Sequence, residues 1–191
     1  MASQKSDEAI LQYDSILAVH PFPWAKVGLA RALRTKNRLV EARNTIEDVI
    51  ITTPNYFDAY DLKADICCDQ GDYAEAQATL TKISIKTPRN YQRKRALSEA
   101  ATLNGDFETA RNVINEVIAN DTLNSASAED CLTLARAAID QGDFKAADDA
   151  MLKLPMSYIN STDENSRLVQ TCLNTLLAHD SEEGEKQFTR I

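Results

Sequence analysis

The sequence predicts an all-α protein, a right-handed α-solenoid of helix-turn-helix repeats, and three observations predict it. A six-residue phrase recurs, as GDYAEA at 71–76, GDFETA at 105–110 and GDFKAA at 142–147. Landmarks recur at a fixed period: Ala42, Ala76 and Ala110 stand 34 residues apart, as do Gly71 and Gly105, and Pro54 and Pro88. Between landmarks, apolar residues follow helical spacing twice per period. The chain of 191 residues holds only 5 Gly and 5 Pro, too few for the turns of an all-β protein. A unit of this size cannot bury its apolar face alone and is stabilised by stacking on copies of itself.

The elements follow in order. Residues 5–21 read as half a repeat. In a helix from Ser6 to Val19, Ala9, Tyr13 and Ile16, with Pro21 behind them, match the second helix of a unit. The first helix of that unit is missing, so a segment upstream is expected, a natural N-terminal capping helix being the alternative. Repeat 22–54 carries Leu29, Ala30, Leu33, Leu39, Ala42 and Ile46 and closes on Pro54. In repeat 55–88, Ala59, Tyr60, Ala64 and Cys67 recur on one helix and Tyr73, Ala76, Leu80 and Ile83 on the next. Gly71 ends the first of these helices, because glycine adopts the left-handed conformation that a helix end requires. Pro88 ends the unit, since the residue before a proline is biased away from helix.

Repeat 89–122 carries Leu97, Gly105, Phe107, Ala110 and Ile114, and repeat 127–160 carries Leu134, Ala135, Ala138, Gly142, Phe144 and Ala147. The third phrase comes 37 residues after the second, and NDTLNSAS (120–127) absorbs the three extra residues. Residues 161–179 predict a capping helix, entered through a Ser161/Glu164 capping box. Its apolar stripe is Leu168, Val169, Cys172, Leu173, Leu176 and Leu177, opposite Arg167, Gln170, Thr171, Asn174 and Thr175. Residues 180–191 are a polar tail, and the whole chain reads as one repeat domain.

These units resemble the tetratricopeptide repeat. The resemblance covers roughly residues 5–155 and is best at Tyr60, Ala64, Gly71, Tyr73, Ala76, Leu80 and Pro88. Lys63 stands where the pattern has leucine, Ser98 where it has Gly or Ala, and Thr122 where it has proline. The small residues allow two helices to cross at roughly 8 Å. Tyr60, Tyr73, Phe107 and Phe144 are expected in the core. The stretch 20–42, with His20-Pro21, Pro23-Trp24-Ala25 and Gly28-Leu29-Ala30, and then Asp58-Ala59-Tyr60-Asp61, resembles a bacterial response regulator with an N-terminal receiver domain followed by such repeats. That resemblance implies a receiver upstream and an output or adaptor role for this chain.

Chemistry is sparse. The two histidines, His20 and His179, lie at opposite ends of the chain. No Gly-rich phosphate loop, GxSxG or HExxH occurs. Cys67, Cys68, Cys131 and Cys172 match no zinc spacing and read as reduced packing residues. No catalytic, cofactor or metal residue is assigned and no enzyme is expected. A net charge of −8 disfavours nucleic acid, which needs Lys and Arg to displace phosphate counterions, and disfavours an anionic membrane surface. No apolar run suits a membrane helix or a signal peptide, so a cytoplasmic protein is expected.

What remains is a surface. The resemblance implies a concave groove lined by the first helix of each unit, holding a protein or peptide. Asp58, Asp61, Asp65 and Asp69 share one helix face, at steps of 3, 4 and 4. Like charges so placed repel, and the stripe reads either as a site for a basic peptide or helix or as a solvated face with Asp58 partly serving the helix start. Trp24, Arg31 and Arg34 fall on the corresponding face before it, and Arg95, Glu99, Glu129 and Arg136 after it. Arg31 or Arg95 pairing with the aspartates is the structural alternative. With aspartates in that position, binding of a chaperone-type C-terminal carboxylate tail is not expected. A second class of function is assembly, a homodimer through the N-terminal half repeat.

Overall fold

The computed structural model describes residues 2–120, 128–154 and 164–179. Among them lie ten α-helices and no strand: α1 Ala2–Leu17, α2 Pro23–Thr35, α3 Leu39–Thr52, α4 Phe57–Asp69, α5 Tyr73–Lys86, α6 Tyr91–Leu103, α7 Phe107–Asn120, α8 Ala128–Asp140, α9 Phe144–Met151 and α10 Glu164–His179. The all-α solenoid class expected from the sequence is the class observed. The first helix starts at Ala2 and ends at Leu17, earlier at both ends than the expected Ser6 to Val19. Thr122, the 121–127 part of the insertion, Ser161 of the capping box, the side chains of Arg167, Leu168, Gln170 and Leu177, and the tail lie outside the described residues.

Contacts group the chain into two compact units, Met1–Arg93 and Lys94–Ile191. In the first, α1 packs on α2, α2 on α3, α3 on α4 and α4 on α5. Its core joins Ile10, Val27, Leu33, Ile46, Val49, Leu62 and Ile66. In the second, α8 packs against α7, α9 and α10. Val169, Cys172 and Leu176 supply the buried side of α10. The small residues sit at the crossings: Ala42, Ala76, Ala110 and Ala147 are each 0 % exposed. Ser98 serves there too, its hydroxyl donating to the Ala110 carbonyl at 2.8 Å. Of the expected core aromatics only Tyr60 is fully buried, its hydroxyl donating to the Pro54 carbonyl; Tyr73, Phe107 and Phe144 are half-buried.

The repeated Gly-Asp phrase has two jobs. Gly71, Gly105 and Gly142 hold φ of +75°, +77° and +74°. The Asp N–H that follows each donates five residues back, from Asp72 to Cys67, Asp106 to Ala101 and Asp143 to Ala138, at 2.8 to 2.9 Å. That closes the preceding helix. The same aspartates then open the next helix, accepting from the backbone N–H of Glu75, Thr109 and Ala146. Two of them also take an arginine from the preceding second helix, Arg43 to Asp72 and Arg111 to Asp143, each at 3.0 Å.

The first repeat performs the turn without the phrase. Asn37 holds φ +58° and the Arg38 N–H donates to Leu33, one period before Gly71 and Asp72. Asparagine tolerates this conformation better than other L residues, though less well than glycine. Asn37→Gly is therefore expected to stabilise the protein by about 0.5 kcal/mol, and Gly71→Ala to cost about 1 kcal/mol. Thermal unfolding of the two variants checks both signs. All four turns have the same length: Lys36–Arg38, Gln70–Asp72, Asn104–Asp106 and Gln141–Asp143. The connections after second helices vary, from Ala18–Phe22 and Thr53–Tyr56 to the span between Asn120 and Ala128. Gly28, inside α2, has a steric reason instead, since a Cβ there would overlap the Tyr13 ring of α1.

Candidate functional site

In the first unit α2 and α4 touch, so their facing side chains share a surface. The α2 side carries Trp24, Arg31, Arg34 and Thr35; the α4 side carries the four aspartates. Arg34 bridges the helices: its Nη1 donates to Asp65 at 2.9 Å and its Nε to Asp69 at 2.5 Å. Arg93, at the start of α6 and 4 % exposed at its side chain, grips Asp61 through Nε and Nη2 at 2.7 and 2.6 Å. Two arginines that the sequence reading did not pair with the stripe hold it here, Arg34 and Arg93. Three of the four aspartates are engaged inside the protein, and Asp58 stays exposed in the first turn of α4.

Arg31, Arg34, Thr35 and Asp69 line an open depression of about 440 Å³. At the start of the same helix Trp24 is 51 % exposed and stacks on Phe22, the ring centroids 5.9 Å apart at 21°. Phe22 in turn meets His20 at 5.3 Å. In the second unit Arg95 forms a two-pronged pair with Asp130 at 2.6 and 2.9 Å. Lys94 pairs with Glu116. Glu99 and Arg136 are exposed.

Sequence reasoning missed Phe22, Thr35, Arg93 and Asp130. Thr35 was findable, lying one helical turn beyond Arg31. Phe22 was findable from the alternation His20-Pro21-Phe22-Pro23-Trp24. Nothing local marks which cation of Arg93-Lys94-Arg95 meets which acid.

The electrostatics match the contacts. The hydrogen bond to Asp69 raises Arg34 above its ordinary value. Burial raises the Asp65 carboxyl, and Arg34 pulls it back only in part. A carboxyl raised in the folded state holds a proton that the unfolded chain has released. Stability therefore falls as pH rises through the window above the ordinary 3.8. Asp65→Asn should then lose less stability than the parent between about pH 4 and about pH 7. Urea unfolding at both pH values measures it, and parallel profiles would contradict it. Asp72 has the opposite sign: its bond to Arg43 holds it low, so its contribution is lost on acidification.

Burial pushes the thiols of Cys67, Cys131 and Cys172 up, which makes them poor nucleophiles at neutral pH. No three metal-ligating side chains converge among the described residues. No described helix is long and apolar enough to cross a membrane.

Comparison with known proteins agrees with this architecture. A tetratricopeptide repeat model matches residues 1–56 and 64–125, and a second such model matches 131–152. Among solved structures, MamA from Desulfovibrio magneticus RS-1 superposes with a TM-score of 0.72 at 18% identity, over 85% of this chain and 93% of that one. PilW, a type IV pilus biogenesis factor, superposes with a TM-score of 0.72 at 20% identity, over 87% and 74%. A thermophilic repeat protein of Thermus thermophilus gives 0.62 at 17% identity, over 91% and 92%. At these identities the likeness is one of fold. No curated protein matches the chain.

Proposed function

Because the chain belongs to the tetratricopeptide repeat family, we propose that it is a non-catalytic protein–protein interaction scaffold whose partner lies on the first helices of the units. One observation carries the reading: Trp24 and Phe22 stand exposed and stacked at the start of α2, the helix whose Arg31, Arg34 and Thr35 border an open depression. An exposed indole supplies large contact area at small entropic cost, which is why tryptophan is enriched at interface hot spots. Glu99 and Arg136 extend the proposal to the exposed faces of α6 and α8 in the second unit.

Photo-crosslinking in the source cells tests it. With a photoreactive amino acid at Trp24, a heterologous protein should be trapped that is not trapped from Ile85, which is 77 % exposed on α5. Equal trapping from both sites overturns the site; a product of twice the chain mass, and no other, favours assembly instead. That second reading has its own support, since α1 and the turn after it expose Leu11 and Val19 at 68 % and 74 %. A strictly monomeric protein at micromolar concentration in sedimentation would remove it.

The narrower setting, a cytoplasmic scaffold attached to a receiver domain, rests on the resemblance of residues 20–42 and 58–61. The mass of the native polypeptide tests it, because a receiver adds a whole domain to the 21.2 kDa of this chain.

A further inference from the structure

We infer that the inner face of α2 recognises an acidic segment rather than a basic one: an extended peptide with one carboxylate on Arg31 and a flat apolar side chain, proline or aromatic, on the Trp24–Phe22 stack. The inference rests on the scaffold reading and gives the partner its chemistry.

The hydrogen-bonding capacity left open on this face decides the polarity. Both oxygens of Asp61 and of Asp69, and one oxygen of Asp65, already accept from guanidinium groups of the protein itself. A basic ligand would have to break those bonds. Arg31 is different: it is exposed, its guanidinium makes no hydrogen bond or ion pair with a described residue, and only its charge is felt at Asp65. Its fork of donors fits a carboxylate in the two-pronged manner.

Spacing gives the ligand its pattern. Trp24 and Arg31 are two helical turns apart, about 10 Å along α2 at 1.5 Å per residue. An extended chain covers that in about three residues at 3.3 Å each. The pattern is therefore a ring, two intervening residues and an acid, as in Pro-x-x-Glu. Proline docks on aromatic surfaces at small entropic cost because its backbone is already restrained.

The test uses the protein's single tryptophan, whose indole N–H resonance is unambiguous. Three acetylated and amidated peptides are titrated into ¹⁵N-labelled protein: GGPAAEGG, GGPAAQGG and GGPAAKGG. The blocked C-terminus keeps a terminal carboxylate out of the result. The glutamate peptide should shift the Trp24 indole and the Arg31 side-chain N–H, and Arg31→Gln should weaken it about tenfold. The glutamine peptide should bind as weakly to the parent as the glutamate peptide binds to that variant. Tighter binding of the lysine peptide overturns the polarity and returns the aspartates as the contact. Equal binding of the glutamate and glutamine peptides overturns the role of Arg31. If none of the peptides shifts Trp24 while crosslinking from Trp24 still traps a partner, the scaffold reading stands and this inference falls.

Discussion

Arg95→Ala is expected to cost about 3 kcal/mol, although Arg95 lies on an exposed-looking, charge-rich helix. Its partner Asp130 is 2 % exposed at the side chain, and Arg95 holds it with two bonds while itself remaining 24 % exposed. Truncating the arginine takes both guanidinium bonds from a buried carboxylate, and breaking a buried ion pair from one side is among the costlier defects a fold can carry. The converse change is milder. Asp130→Ala leaves a guanidinium that can turn to water, so it should cost less than half as much. Replacing both, as Arg95→Met with Asp130→Leu, should recover most of the loss. Urea unfolding of the three variants provides the measurement. Equal costs for the two single truncations would mean that the pair is not what stabilises this part of α6 and α8.

Ile46→Ala is the second large effect, again about 3 kcal/mol. Ile46 is 0 % exposed and lies in the cluster that joins Ile10 of α1, Val27 and Leu33 of α2, and Leu62 and Ile66 of α4. Removing its branched side chain forfeits both transfer energy and contacts with helices that cannot all close on the gap. Ile46→Val should cost about 1 kcal/mol. Ile51→Ala, on the same helix but 76 % exposed, should change stability by less than about 0.5 kcal/mol. If Ile51→Ala matched Ile46→Ala, the first-unit core would be misplaced.

The repeat was legible because its landmarks answer to geometry that each unit meets alone: a glycine where φ must be positive, an aspartate where a helix must be opened, an alanine where two helices cross. Asn37-Arg38 was hidden for the same reason, since it meets the backbone need of Gly-Asp with different chemistry. The site was only half legible. Helical spacing put Trp24, Arg31 and Arg34 on one face and the aspartates on another. It could not say which charges would neutralise each other. Arg93, Lys94 and Arg95 show why. Successive positions on a helix differ by about 100° in direction, so three adjacent cations reach Asp61, Glu116 and Asp130 on three different helices. Sequence adjacency says nothing about such partners.

The constant turns and variable connections imply a preferred place for change in the gene. Lengthening a turn would separate an aspartate from the helix it opens and, at Asp72 and Asp143, from the arginine that reaches it. Lengthening a connection leaves both ends of every hairpin intact, as the longer spacing before the third phrase already records. The heritable module therefore begins at Pro23, Phe57, Tyr91 and Ala128, not at the conspicuous phrase. Duplication, deletion or grafting of a foreign loop should succeed at cuts made just before those residues and fail at cuts through Gly-Asp.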